Sequence, residues 1–317
     1  MSKVDQLREH MTLPVIVAPM FILSDAEFVI AACREGLLAT FPALNGRTSE
    51  DFETMLAQVT DALEQSRKEH PEAKTAPYGV NLVVHNSNKR LQADLDLCVR
   101  FKVPMIVTNL GKPDAVIEAV HSYGGVVFSS VTTFDHARKA ATGNPDGLAL
   151  ICAGAGGHAG RLSPFAFVPG VREFFHGMIA VAGCISDGYS IRACEVLGAD
   201  FAWMGTRFIP TVESKASEAY KNMIVASEAG DIIYTATVSG IPANFIRANL
   251  LDCGYDINSR GEVTKELDAE EERKLWKDIW TAGQGVQTIH EVSSVTGLAQ
   301  TLRRQYQEAC NLTGRKV

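Results

Sequence analysis

The sequence predicts an α/β fold, a (β/α)8 barrel of the TIM class with a mainly helical insertion after strand eight. Three observations carry this. Eight short apolar runs, each followed by an amphipathic stretch, succeed one another between Leu13 and Met204. The runs are apolar throughout, as parallel strands covered on both faces are. The first turn, Ala18-Pro19-Met20-Phe21, lacks the Gly-x-Gly-x-x-Gly of a doubly wound open sheet, which leaves that topology as runner-up.

The elements follow in order. Leu13 to Ala18 is the first strand; Ser24, three before Glu27, reads as a capping box opening a helix from Asp25 to Glu35, which Gly36 stops. Leu37 to Phe41 is the second strand. Thr48 to Glu69 is a long amphipathic helix, with Phe52, Met55, Leu56, Val59 and Leu63 at helical spacing. Tyr78 to Val84 is the third strand and Ser87 to Phe101 the third helix. Pro104 to Thr108 is the fourth strand, and Pro113 suits the first turn of the next helix. Gly125 to Ser129 precedes a helix through Ala137 to Ala141, and Leu148 to Cys152 is the sixth strand. Ser163-Pro164 opens a helix to Phe175, Met178 to Ala182 is the seventh strand, Ser186 to Leu197 a helix, and Phe201 to Met204 the eighth strand. Beyond it, Glu213 to Glu228 reads as helix, Asp231 to Val238 and the following Gly240-Ile241-Pro242-Ala243-Asn244 as irregular, and Glu266 to Thr281 as a charged helix. Gly283-Gln284-Gly285 is a tight turn, and a helix over Val295 to Ala309 closes the barrel. The expected division is a barrel of 1–211 plus 283–317 and an insertion, 212–282, that serves as a substrate lid or as a packing or homodimer surface.

Composition narrows the function. The 317 residues are 46% hydrophobic with a net charge of −7, and no basic block interleaves with aromatics. Nucleic acid and anionic membranes are therefore not expected partners. No apolar run approaches the ~18 residues of a membrane span, and Met1 to His10 has no signal-peptide core. The seven cysteines show no paired spacing, which suits reduced thiols in a cytoplasm. There is no His-Glu-x-x-His or Cys-x-x-Cys, so no metal is expected.

Strands of such a barrel deliver their functional residues at their C-terminal ends. After strand six comes Ala153-Gly154-Ala155-Gly156-Gly157-His158-Ala159-Gly160, a loop almost bare of side chains around one imidazole. Its unperturbed pKa of about 6.5 lets it move a proton near neutrality. Strand seven ends in Gly183-Cys184-Ile185-Ser186-Asp187-Gly188 and strand eight in Gly205-Thr206-Arg207. Loops in these two positions often hold phosphate on backbone N–H groups; two ordinary strand-to-helix turns are the plain alternative. Asn81 can donate to and accept from a heteroaromatic ring edge, and Met20 can pack on a ring face. Equally, Met20 suits a core and Asn81 a loop cap.

Ala18-Pro19-Met20, Gly79-Val80-Asn81, Gly156-Gly157-His158-Ala159-Gly160, Ala182-Gly183-Cys184-Ile185-Ser186-Asp187-Gly188, Leu197-Gly198-Ala199-Asp200 and Met204-Gly205-Thr206-Arg207-Phe208 occur in that order. Together they resemble the nitronate monooxygenases, formerly 2-nitropropane dioxygenases, whose wider family holds flavin-dependent enoyl-ACP reductases and NADH:quinone reductases. The resemblance runs over about 13–215 and resumes at Gly283-Gln284-Gly285. It implies non-covalent FMN, with phosphate contacts at Gly183, Cys184, Gly205 and Thr206 and ring contacts near Pro19, Met20 and Asn81. Ser130, Gly156, Gly157 and Met204 join the cofactor-binding set, and His158 is the catalytic residue. Three positions depart from the pattern. Cys184 replaces the second of two glycines, Gly154-Ala155 stand where an acid is common, and Ser129-Ser130 stand where many relatives carry a lysine.

The resemblance implies an FMN-dependent oxidoreductase taking a small nitronate or nitroalkane, with O2, to a carbonyl compound and nitrite. The alternatives are an NAD(P)H-dependent flavin reductase of quinones or enoyl thioesters, and a flavin-free phosphate-binding barrel isomerase or lyase.

Overall fold

A computed structural model describes residues 3–85, 87–109, 111–238, 240–256 and 276–313. Eight parallel strands close into a barrel: β1 (Val15–Val17), β2 (Leu38–Pro42), β3 (Tyr78–Val83), β4 (Met105–Asn109), β5 (Val126–Val131), β6 (Gly147–Ile151), then, past the two-residue β7 (Gly157–His158), β8 (Met178–Ala182) and β9 (Phe201–Met204). Closure is made by β9 against β1, with Ile16 opposite Trp203. Helices α2 (Ala26–Arg34), α3 (Ser49–Glu69), α4 (Leu91–Arg100), α5 (Asp114–His121), α6 (Phe134–Ala141), α7 (Pro164–Arg172), α8 (Gly188–Val196) and, at the chain's end, α11 (Val295–Thr313) alternate with or follow these strands.

The strands are apolar on both faces, yet the faces are distinct. Val15, Val17, Phe41, Val80, Leu82, Ile106, Leu148, Ile179 and Met204 point into the layer beneath the helices. Ile16, Leu38, Met105, Val107, Phe128, Ala149, Ala180, Phe201 and Trp203 fill the barrel itself. Successive side chains leave a strand on opposite sides, so each strand feeds both layers. At the N-terminal end of the strands the lumen is plugged by α1 (Lys3–Glu9) and the turn after it, through Leu7 and Met11.

Most predicted elements stand within a few residues of their expected bounds. Three differ. Helix α2 is capped by Asp25, whose carboxylate accepts from Phe28 N (2.9 Å), because the Ser24 hydroxyl is taken up accepting from Met20 N (3.2 Å). Helix α4 begins at Leu91, not Ser87; Ser87, Asn88 and Lys89 instead line the large cleft. The insertion is less helical than expected. After α9 (Glu218–Ala226) it forms β10 (Ile232–Thr235) and β11 (Ala243–Ile246), then α10 (Arg247–Asp252). The stretch expected to be irregular thus pairs as a strand, Ile232 with Ile246 and Thr235 with Ala243, because β11 offers it an antiparallel partner farther along the chain. The predicted helix 266–281 falls largely on 257–275, outside the described residues. Among the described residues no helix is long and apolar enough to cross a membrane.

Candidate active site

At the C-terminal ends of the barrel strands lies a cleft of about 2390 Å³. Its walls include Pro19, Met20, Asn81, Ser130, Gly156, Gly157, His158, Gly183, Cys184, Gly205 and Thr206. Residues spread over more than half the chain therefore meet in one cavity. Met204 does not join them. Side chains alternate from Phe201 in the lumen, so Met204 points outward and is buried in the helix layer. Only its carbonyl serves the site's frame, accepting from Ala18 N (2.9 Å).

The phosphate-type loops are shaped by their backbones. Gly183 has φ +130, and a β-carbon there would lie 2.7 Å from Ala153 O, so a side chain is excluded. Cys184 also has positive φ, +57, in a region that glycine occupies at less cost. Its thiol lies near Ala153 O (3.9 Å) and Gln284 Oε1 (3.8 Å), against Gly154. A β-carbon on Gly205 would meet only Ala18 Cβ, at 3.4 Å. The space over Gly205 is thus open to a ligand. Among the described residues the N–H groups of Cys184 and Gly205 donate to no protein acceptor. Thr206 Oγ1 accepts from Gly283 N (2.9 Å), tying this loop to the Gly283-Gln284-Gly285 turn. Free N–H donors around a space that a β-carbon would fill fit a phosphate group.

The opposite wall is polar in a different way. Asn81 is 6% exposed and donates through Nδ2 to Val107 O (3.1 Å), which fixes the amide and leaves Oδ1 to accept from a ligand. Thr108 and Ser129, which also line the cleft, share a hydroxyl–hydroxyl bond (3.1 Å). Asn109 was not among the expected site residues, yet it lines the cleft and its buried Oδ1 has no partner among the described residues. Its signal was available: Met105 and Val107 face the lumen, so the strand's period of two puts Asn109 on the same side. The Pro19-Met20 turn is held by Asn45, whose Nδ2 donates to Met20 O (3.2 Å) and to Ser24 O (2.7 Å).

His158 stands on the short strand β7, which pairs with β11 of the insertion: Ala243 opposite His158, Asn244 opposite Gly157. Asn244 Nδ2 donates to Ala155 O (2.6 Å) and Tyr234 OH to Ala159 O (3.0 Å), so the loop is gripped on both sides of the histidine. The Trp276 ring packs against the imidazole edge to face, centroids 5.3 Å apart at 88°. The imidazole is exposed to the cleft, and desolvation by the groups packed around it lowers its pKa below the usual value. Neither ring nitrogen is hydrogen-bonded to a described residue, so the neutral ring is free to take or hold a proton from a bound molecule. Tyr234, Ile241, Pro242, Trp276 and Ile279 bring the insertion into the same cleft. No cluster of metal-binding side chains occurs among the described residues.

Comparisons with known proteins agree with this construction. The chain is 26% identical to a "Probable nitronate monooxygenase" of Staphylococcus saprophyticus, over 94% of its own length and 96% of the relative's. An octahydroindene-carboxyl-CoA dehydrogenase of Rhodococcus jostii is 26% identical over 65% of this chain and 58% of that one. The chain spans about half the length of the first curated relatives it matches, 46% and 58%. Its fold is that of a nitroalkane oxidase structure from Streptomyces ansochromogenes, with a TM-score of 0.79 at 21% identity, covering 98% of this chain and 100% of that chain. The family model for nitronate monooxygenase matches residues 86–305, well over half of the sequence, and the chain accordingly belongs to the nitronate monooxygenase family of flavin-dependent oxidoreductases.

Proposed function

We propose that the protein binds FMN and oxidises small alkyl nitronates with O2, releasing a carbonyl compound and nitrite. The observation that carries this reading is the meeting of His158, the two glycine loops and Asn81 around one cleft. Bound FMN would supply the electron transfer between substrate and oxygen, chemistry no side chain here provides. Gly183, Cys184, Gly205 and Thr206 would hold its phosphate; Pro19, Met20, Asn81, Ser130, Gly156 and Gly157 would border the rest.

His158 has a role suited to its surroundings. A nitronate carries its negative charge on the nitro oxygens, and a nearby imidazole can donate to them. For a neutral nitroalkane the same ring, its pKa lowered by desolvation, would remove the α-proton. No acidic side chain stands in the loop from Ala153 to Gly160, so this proton work falls to one residue. The insertion, 212–282, would act as the substrate-side wall, its Ile241, Pro242 and Ile279 excluding water from the apolar part of the substrate.

Purified protein is expected to be yellow, with flavin released by heat or acid. Without oxygen, a nitronate should bleach the flavin and NADH should not. A colourless protein that takes up no added FMN would sink the flavin reading. Bleaching by NADH alone would make the protein a reductase.

A further inference from the structure

A side chain that moves a proton is usually oriented by a third group hydrogen-bonded to it. His158 has no such group among the described residues, and Gly154-Ala155 stand where an acid is common. The ring is also exposed to a wide cleft and carried by a two-residue strand. An imidazole so placed changes rotamer freely unless a neighbour holds it.

Trp276 is placed to hold it. Ala243 of β11 lies directly opposite His158, and residues directly opposite send their side chains to the same face of a sheet. Phe245 is two residues farther along β11, so it shares that face. Between the imidazole and Phe245 stands only the methyl group of Ala243, a gap that an indole can span. Trp276 spans it. Its ring is stacked on Phe245, centroids 6.0 Å apart at 10°, and meets the imidazole edge to face, centroids 5.3 Å apart at 88°. Phe245 is fully buried in a small apolar cluster with Val238, Ala243, Leu250 and Ile279, so the indole rests on the insertion's own core. A perpendicular aromatic pair is an arrangement that the ring quadrupoles favour. It restrains the imidazole by its ring, whereas an acid would occupy one of its nitrogens.

We propose that Trp276 is a positioning residue for His158, fixing the imidazole in the cleft by ring packing where a hydrogen-bonded acid would otherwise do so. This rests on His158 acting as the base of the proposed function. Because Trp276 also borders the cleft, its action through His158 is separated from direct contact with substrate by a double-mutant cycle.

Flavin-loaded wild type, Trp276→Leu, Trp276→Phe, His158→Ala and the double variant of Trp276→Leu with His158→Ala are compared by kcat/KM, for a neutral nitroalkane and for its preformed nitronate. Leucine keeps apolar cover on Phe245 but has no ring. Trp276→Leu should lose about 10- to 100-fold with the neutral substrate, the cost of a misplaced reacting group, and less than about threefold with the nitronate. Trp276→Phe keeps an aromatic face and should stay within about threefold of wild type. Added to His158→Ala, Trp276→Leu should cost less than about threefold more. Equal losses with both substrate forms, the same loss without His158, or no loss would overturn the proposal. Should Trp276→Leu fail to fold, Trp276→Met takes its place under the same expectations.

A second measurement needs no turnover. In protein carrying isotope-labelled histidine, the His158 resonance is identified by its disappearance in His158→Ala. The indole's ring current should displace it in wild type, and it should move in Trp276→Leu and less in Trp276→Phe. A resonance unmoved by Trp276→Leu would overturn the proposal whatever the activity. A resonance that moves as expected in a protein that turns over neither substrate form would support the ring placement and end the nitronate reading.

Discussion

His158 is one imidazole with no hydrogen-bonded helper among the described residues, and its environment makes a quantitative expectation. A positioned general base contributes about 10²–10⁴ in rate. His158→Ala should lose that much kcat/KM with a neutral nitroalkane and much less with the preformed nitronate, whose proton is already gone. Comparing both forms of one substrate separates the roles; equal losses would make His158 a binding group. Burial lowers its pKa, so the basic form persists below the ordinary ~6.5 and the acidic limb of the neutral-substrate profile should lie below that value. Stability moves with the same sign. As the pH falls below about 6.5 the unfolded chain takes up the proton first, and His158 progressively withdraws stability. At Gly205 the open space argues for a second residue-scale outcome. Gly205→Val meets only Ala18 Cβ on the protein side, so it should keep the fold, by melting temperature, and weaken FMN binding. Unchanged affinity would remove Gly205 from the site.

At the scale of elements, the insertion holds the loop that bears His158. The sheet runs β10, β11, β7, so the strand bearing His158 exists because β11 pairs with it. A two-residue strand on a glycine loop has little structure of its own. Asn244 is 3% exposed, and its bond to Ala155 O is buried. Asn244→Ala leaves that carbonyl without a partner and frees the loop to shift, and a misplacement near 1 Å can cost about 10²-fold in rate. Neutral-nitroalkane kcat/KM should fall by up to about that factor while FMN affinity holds. If FMN affinity falls in parallel, Asn244 serves the cofactor and not the histidine. Ser239-Gly240 and Pro242 mark a turn between Ile232–Thr235 and its partner in the sequence, but the pairing with His158 was not legible, because the partner's own partner is a loop more than eighty residues upstream.

For the whole molecule, the candidate site and a buried acidic clamp sit at opposite ends of the barrel. Asp146, just before β6, is bonded by Lys3 of α1, by His121 Nε2 (2.7 Å) and by Val127 N (2.8 Å). Burial would raise its pKa, but these three donors together hold it below the usual carboxylate value. Its contribution is therefore present above about pH 4 and lost as the pH falls through the lowered folded value. Asp146→Ala should cost about 2 kcal/mol of stability and flatten the acid-side loss, with kcat/KM unchanged. A melting temperature equal to wild type would show that α1 needs no such clamp. Activity lost together with stability would mean that the two ends are coupled.

The barrel could be read from the sequence because its cause is local and repeated: eight apolar runs, each too uniform for a half-exposed strand, each followed by a helical face. That the candidate residues would share one cleft could be anticipated for the same reason, since a barrel's topology sends every strand end to one face: Pro19, His158, Gly183 and Gly205 stand beyond such ends and Asn81 just inside one. What remained was decided by side-chain direction and by long-range pairing. Treating strands as apolar throughout hid the alternation that turns Met204 outward and Asn109 inward. The grip of Asn244 and Tyr234 on the histidine loop, and the packing of Trp276 on the imidazole, exist only once distant segments have packed, because a contact is a property of neighbours in space.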